Sequence, residues 1–122
     1  MFDERSPIYQ QIADTIKDEI LSGALKEDEQ VMSTNQYASF YRINPATAAK
    51  AFQQLVDDGI LTKRRGIGMF VNIGARDKLI AERRARFFEE KIDPIAREAN
   101  LIGIGVDEIV ERLRAFKAED GS

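Results

Sequence analysis

Isoleucine recurs at every fourth position near the start of the chain, at Ile8, Ile12, Ile16 and Ile20, and Tyr9 and Leu21 widen the stripe. Positions four apart share one face of a helix, so this spacing predicts an amphipathic helix whose apolar side packs against a core. Ser6 is placed to cap that helix, Pro7 suits its first turn and Gly23 supplies a left-handed stop, which sets the span at about 7–22. The polar side carries Asp14, Lys17, Asp18 and Glu19, unlike the cationic face of a membrane-surface helix. Residues 24–32, with Lys26-Glu27-Asp28-Glu29, read as a charged loop with room for a short strand. Ser33 then stands three residues before Gln36, the spacing of a capping box, and opens a short helix with Tyr37, Ala38 and Tyr41 inward. Asn44 can cap a third helix and Pro45 suits its first turn. Within it Ala48, Ala51, Phe52, Leu55 and Val56 fall on one face until Gly59.

Beyond Gly59 the pattern changes. Ile60-Leu61-Thr62-Lys63-Arg64 and Met69-Phe70-Val71-Asn72-Ile73 read as two strands joined by Arg65-Gly66-Ile67-Gly68, a basic-tipped hairpin. From about 75 to 92 the chain is helical again, with an uneven stripe of Leu79, Ile80, Arg83, Phe87 and Ile92 that Asp93-Pro94 interrupts. Ala96, Ala99, Leu101 and Ile102 continue the helix briefly until Gly103-Ile104-Gly105 breaks it. A last helix over about 107–117 is expected to bury Ile109, Val110, Leu113 and Phe116. The fold class that follows is mainly α with a small β-hairpin. Residues 1–74 form a winged helix-turn-helix and residues 75–122 a short helical segment.

A chain of 122 residues fits one compact domain with an appendage, and 43% apolar with 32% charged residues suits a folded globular protein. With no Cys and no His, disulfides, thiolate metal sites and the usual general base are excluded, and neither a metal nor a cofactor is expected. No apolar run approaches the roughly 18 residues of a membrane span and the first residues lack a signal-peptide pattern, so a cytoplasmic location is expected. The net charge of −3 argues against a polyanionic partner, but its distribution does not. Residues 1–32 sum to −5, residues 33–78 to +4 and residues 79–122 to −2. The basic excess lies mostly in Lys63, Arg64, Arg65, Arg76 and Lys78.

Two helices joined by a short turn can present the second to a DNA major groove while the first packs behind it. The third helix leaves Ala46, Thr47, Ala49, Lys50 and Gln53 outward once its apolar side is fixed. Small residues near its start let the backbone approach a duplex. Free N–H groups and the positive dipole end over Asn44, Pro45, Ala46 and Thr47 suit a phosphate, to which Thr47 and Lys50 add a hydrogen bond and a charge. A core helix with a solvated polar side gives the same pattern. The hairpin shifts the balance toward DNA: Lys63, Arg64 and Arg65 sit at its tip, and Gly66 and Gly68 permit close approach to the backbone or minor groove.

Four stretches carry a resemblance: Pro7-Ile8-Tyr9-Gln10-Gln11-Ile12, Asn44-Pro45-Ala46-Thr47 with Lys50-Ala51, Leu55-Val56-Asp57-Asp58-Gly59-Ile60-Leu61, and Arg64-Arg65-Gly66-Ile67-Gly68-Met69-Phe70-Val71. Across residues 7–73 they resemble the winged helix-turn-helix of the GntR family of bacterial regulators, and the short C-terminal segment resembles its YtrA-like branch. The resemblance implies a homodimeric transcription repressor on double-stranded DNA, bound to a palindromic operator and relieved by a small-molecule effector. It also implies contacts from Ser33 and Asn35. Where the family usually has Leu-Pro-Ser this chain has Val31-Met32-Ser33, where it has a DNA-contacting arginine this chain has Asn35, and Arg42 replaces a turn glycine. The C-terminal part, too short for a large effector domain, is expected to dimerise, because short amphipathic helices cannot cover their own apolar stripes. A winged-helix module that binds protein and not DNA is the competing reading, and it has no need of Lys63, Arg64 and Arg65 at the wing. Catalysis is not expected: Asp57-Asp58 and Glu89-Glu90 are adjacent pairs that diverge on a helix, and no glycine-rich phosphate loop is present.

Overall fold

The computed structural model describes residues 6–119. Its helices are α1 (Ile8–Ser22), α2 (Thr34–Tyr41), α3 (Pro45–Asp57), α4 (Ala75–Phe87), α5 (Asp93–Ile102) and α6 (Val106–Glu119), and its strands are β1 (Gln30–Val31), β2 (Leu61–Arg64) and β3 (Gly68–Val71). The fold is mainly helical with a small antiparallel sheet, a winged helix-turn-helix followed by C-terminal helices. It divides into two compact units, the first ending at Ala81 and the second beginning at Glu82.

Local sequence chemistry sets most of the helix ends. Ser33 Oγ accepts the Gln36 N–H at 3.1 Å and the Gln36 side chain accepts the Ser33 N–H at 3.0 Å, a closed capping box at the start of α2. Asn44 caps α3, its side chain accepting the Ala46 N–H at 2.8 Å. Ser6 does not cap α1. Pro7 itself takes the extended N-cap conformation, φ −56° and ψ 144°, and its carbonyl accepts the N–H groups of Gln10 and Gln11, which leaves Ser6 one residue outside the helix. Gly23 closes α1 at φ 88°.

The first unit packs around the contact of α1 with α3. Ile12, Ile16 and Ile20 meet Ala48, Ala51, Phe52 and Leu55, and Ile8 stands out of this core. Alanines at the crossing bring the helices close while Phe52 and Leu55 fill the volume beside them. Tyr37 and Ala38 of α2, Ile60, Leu61 and Val71 of the sheet, and Ala75 and Leu79 of α4 complete the cluster. The Tyr37 ring meets Phe52 edge-on at 5.4 Å and lies 4.5 Å from Tyr41.

The expected hairpin gains a third strand. β1 pairs antiparallel with β3, Gln30 opposite Phe70 and Val31 opposite Met69, giving the order β1-β3-β2. The second pairing sets Lys63 opposite Met69 and Arg64 opposite Gly68.

In the second unit two expectations are corrected. Asp93-Pro94 does not break the helical path: a wide turn over Phe88–Ile92 intervenes, in which the Asp93 N–H reaches the Phe88 carbonyl five residues back. The wider turn accommodates a proline that lacks an N–H and would clash with the carbonyl behind it in a regular helix. The last helix also fails to bury its apolar face: Ile109 and Val110 are half-buried, while Leu113 and Phe116 are exposed. Among the described residues Ala99 is the one buried side chain of this unit, and Phe87, Ile95, Leu101 and Ile102 are exposed as well.

Tyr37 carries the one buried side-chain polar atom without a protein partner among the described residues, its hydroxyl. Burial, then the neighbouring Tyr41 and Glu19, push its pKa up to about 12. The unfolded chain ionises this phenol near 10, so the folded state loses stability as pH rises from about 10 to about 12. Tyr37→Phe is expected to raise stability by up to about 1 kcal/mol at neutral pH, because no hydrogen bond is lost with the hydroxyl. It should also flatten the alkaline decline, both readable from urea unfolding at a series of pH values.

Candidate nucleic-acid interface

α3 is held on its apolar side by the core, and Ala46, Ala49, Lys50 and Gln53 are exposed on the other, with Thr47 half-buried. Its first turn differs from expectation. Pro45 has no N–H, the Ala46 N–H is taken by the Asn44 side chain, and the N–H groups of Thr47 and Ala48 reach the Asn44 carbonyl at 3.0 and 3.1 Å. The backbone here therefore offers no free donor to a phosphate. A proline at the first position and an asparagine cap consume every one, and only the dipole remains. Lys50 is not loose either, since its Nζ lies 4.0 Å from the centre of the Tyr9 ring, a cation-π contact that ties α3 to α1.

At the start of α2, Ser33 is exposed but engaged in its capping box, and Asn35, the second residue of the helix, is exposed. A three-residue turn, Arg42 to Asn44, joins α2 to α3. Arg42 closes α2 with φ 54° and ψ 51°, its N–H shared between the Ala38 and Ser39 carbonyls.

The hairpin tip separates the cations that sequence grouped together. Successive residues of a strand point to opposite faces, so Lys63 shares a face with buried Leu61, and Arg64 points to the other with Thr62. There Arg64 pairs with Asp28 and lies 3.9 Å over the Phe70 ring. Arg76 donates to the Leu21 carbonyl at 3.2 Å and Lys78 to the Asp58 carbonyl, so both brace the fold. Of the five residues that carry most of the basic excess, Lys63 and Arg65 are exposed with no partner among the described residues. The turn between them and β3 closes through Ile67 N–H to Arg64 carbonyl, 2.9 Å, with Gly66 at φ 77° and open space where its Cβ would stand.

Gly68 has a more specific role. At φ 146° it leaves room for Gln30, whose amide would lie 2.5 Å from an added Cβ and which donates to the Ile67 carbonyl at 3.1 Å. Gln30 thereby fixes the tip to β1. The sequence reads Tyr9 as part of the apolar stripe of α1 and Asp28 as part of a charged loop, and gives Gln30 no role. Each meets a partner some 36 to 41 residues away, which only the strand register and helix packing bring near.

A helix-turn-helix with an exposed second helix and a basic wing defines a DNA-binding regulator. The sequence model of the bacterial regulatory proteins of the gntR family matches residues 8–71, and the chain belongs to that family. Family and fold thus agree on a transcription regulator and not an enzyme. The chain is 28% identical over 114 residues to the HTH-type transcriptional repressor YtrA of Bacillus subtilis (strain 168), covering 93% of this chain and 87% of that protein. In structure it is similar to a GntR family transcriptional regulator from Listeria monocytogenes, with a TM-score of 0.73 at 24% identity, over 93% of this chain and 98% of that one. It is also similar to AraR(DBD) in complex with operator ORR3, with a TM-score of 0.53 at 27% identity, over 58% of this chain and 86% of that one.

Gly68→Ala is expected to cost about 1–3 kcal/mol, mainly from backbone strain, because the clash is with the movable end of Gln30. Comparison of urea midpoints checks this, and an unchanged midpoint would show that the tip relaxes freely.

Proposed function

We propose that this chain is a repressor that acts as a homodimer on a palindromic operator. In this reading the exposed side of α3, from Asn44, Pro45, Ala46 and Thr47 to Lys50, enters the major groove. Ser33 and Asn35 flank it, and the tip from Lys63, Arg64 and Arg65 to Gly66 and Gly68 follows the adjoining backbone. Residues from 75 onward join the two copies.

One observation supports the dimer above all. Leu101 is 84% exposed, Val106 73% and Phe116 63%, an apolar surface on short helices that a second copy can cover by two-fold symmetry. Such symmetry sets the two α3 helices about 34 Å apart, one turn of the duplex, and the operator mirrors it. A small-molecule effector that favours a different spacing of the two copies releases the DNA. This reading puts the protein in the cytoplasm, and no helix among the described residues is long and apolar enough to cross a membrane.

Selection of bound fragments from random duplexes is expected to yield a consensus with two-fold symmetry; a consensus without it would remove the dimeric reading. Leu113→Glu combined with Phe116→Glu should leave a monomer in sedimentation and weaken operator binding more than tenfold, since two carboxylates would have to be buried. Arg65→Ala should weaken binding to all sequences and lower the slope of log affinity against log salt by about 0.9, the value of one phosphate contact.

A further inference from the structure

We propose that Arg42 is a DNA-backbone contact, a cation that the left-handed turn between α2 and α3 holds out to a phosphate beside the recognition helix. This rests on the DNA-binding reading above and adds a residue that reading does not include.

Residues 33–57, the whole helix-turn-helix pair, carry three charged side chains in a chain that is 32% charged: Arg42 and Lys50, both positive, and Asp57 at the last position of α3. That carboxylate closes the far end of α3, and no anionic side chain lies in the sequence between Ser33 and Val56. The donors that usually receive one at the start of a recognition helix are missing here, since the α3 first-turn N–H groups bond to Asn44. Lys50 lies over Tyr9. Arg42 stands two residues before the α3 cap, is exposed, and has no side-chain partner among the described residues. Its guanidinium presents several donors in one plane, a match for phosphate oxygens.

Stability does not account for an arginine at this position. The left-handed conformation costs a residue with a Cβ roughly 1–2 kcal/mol, and glycine adopts it without that cost. An exposed cation at the C-terminus of α2 recovers about 0.3–1 kcal/mol from the helix dipole, which at best offsets the strain. An arginine kept in a strained turn, where glycine fits, points to work done by its side chain.

The test compares wild type with Arg42→Gly, Arg42→Gln and Arg42→Lys, using a mixed-sequence duplex of about 30 base pairs over a range of salt, with thermal unfolding alongside. A backbone contact is sequence-independent, so no operator is needed. Arg42→Gly is expected to unfold at no lower temperature than wild type yet to bind more weakly. Its salt slope should fall by about 0.9, so that the wild-type advantage shrinks about 3.5-fold between about 50 and about 200 mM salt. Arg42→Gln, which keeps the strain and loses the charge, should lose the same slope, and Arg42→Lys should retain it. If wild type holds the duplex and the uncharged variants match its slope, Arg42 is wrongly assigned while the DNA reading stands. If wild type itself fails to hold the duplex at low salt, both fall together.

Discussion

The seating of α3 on α1 is the constraint on which the first unit turns. A helix can offer one face to a partner only if the opposite face is immobilised. Here Ala48 and Ala51 let the α1 isoleucines approach closely while Phe52 and Leu55 lock the rotation about the helix axis. The same contact fixes the wing. α3 leads through Gly59 and Ile60 into β2, and Ile60 and Leu61 are buried in the same cluster, so the hairpin leaves the core at an angle that the helix determines. The Lys50 contact with Tyr9 continues this coupling onto the exposed side.

Electrostatics in this unit is a matter of what each cation is already doing. The basic third of the chain divides into braces and free ends. Arg76, Lys78 and Arg64 hold carbonyls, a carboxylate and an aromatic ring, while Lys63, Arg65 and Arg42 reach solvent. Net charge along a sequence cannot make that division, because a carbonyl acceptor is present at every residue and leaves no trace in composition. The wing is thereby stiffened from its outer side by Arg64 over Phe70, and at its tip by Gln30.

Much of this architecture was legible from local chemistry. The Ser33 capping box, the Asn44-Pro45 start of α3 and the glycine stops at Gly23, Gly59 and Gly103 are decided by neighbours within a few residues, and all appear in the structure. What could not be read depends on distant partners or on competition among close ones. Pro7 displaced Ser6 as the cap because its own carbonyl was available one residue nearer the helix. At the start of α3, Asn44 takes backbone donors twice, the Ala46 N–H with its side chain and the Thr47 and Ala48 N–H groups with its carbonyl. In the second unit the helices fall within a few residues of the expected spans, but Leu113 and Phe116, expected to be buried, are exposed. An amphipathic pattern shows that a face is to be covered and says nothing of which chain covers it.

The wide turn at Phe88–Ile92 has its own bearing on how that second unit tolerates change. Each residue of a regular helix advances the side-chain direction by about 100°, and one additional residue in a turn shifts the phase of everything after it by that amount. Leu101 and Ile102 thus point where they do because of a count made ten residues earlier. Loss of a single residue between 88 and 92 would rotate the downstream apolar stripe by roughly a quarter of a circle. In this stretch chain length acts as an angular setting for the side chains that follow.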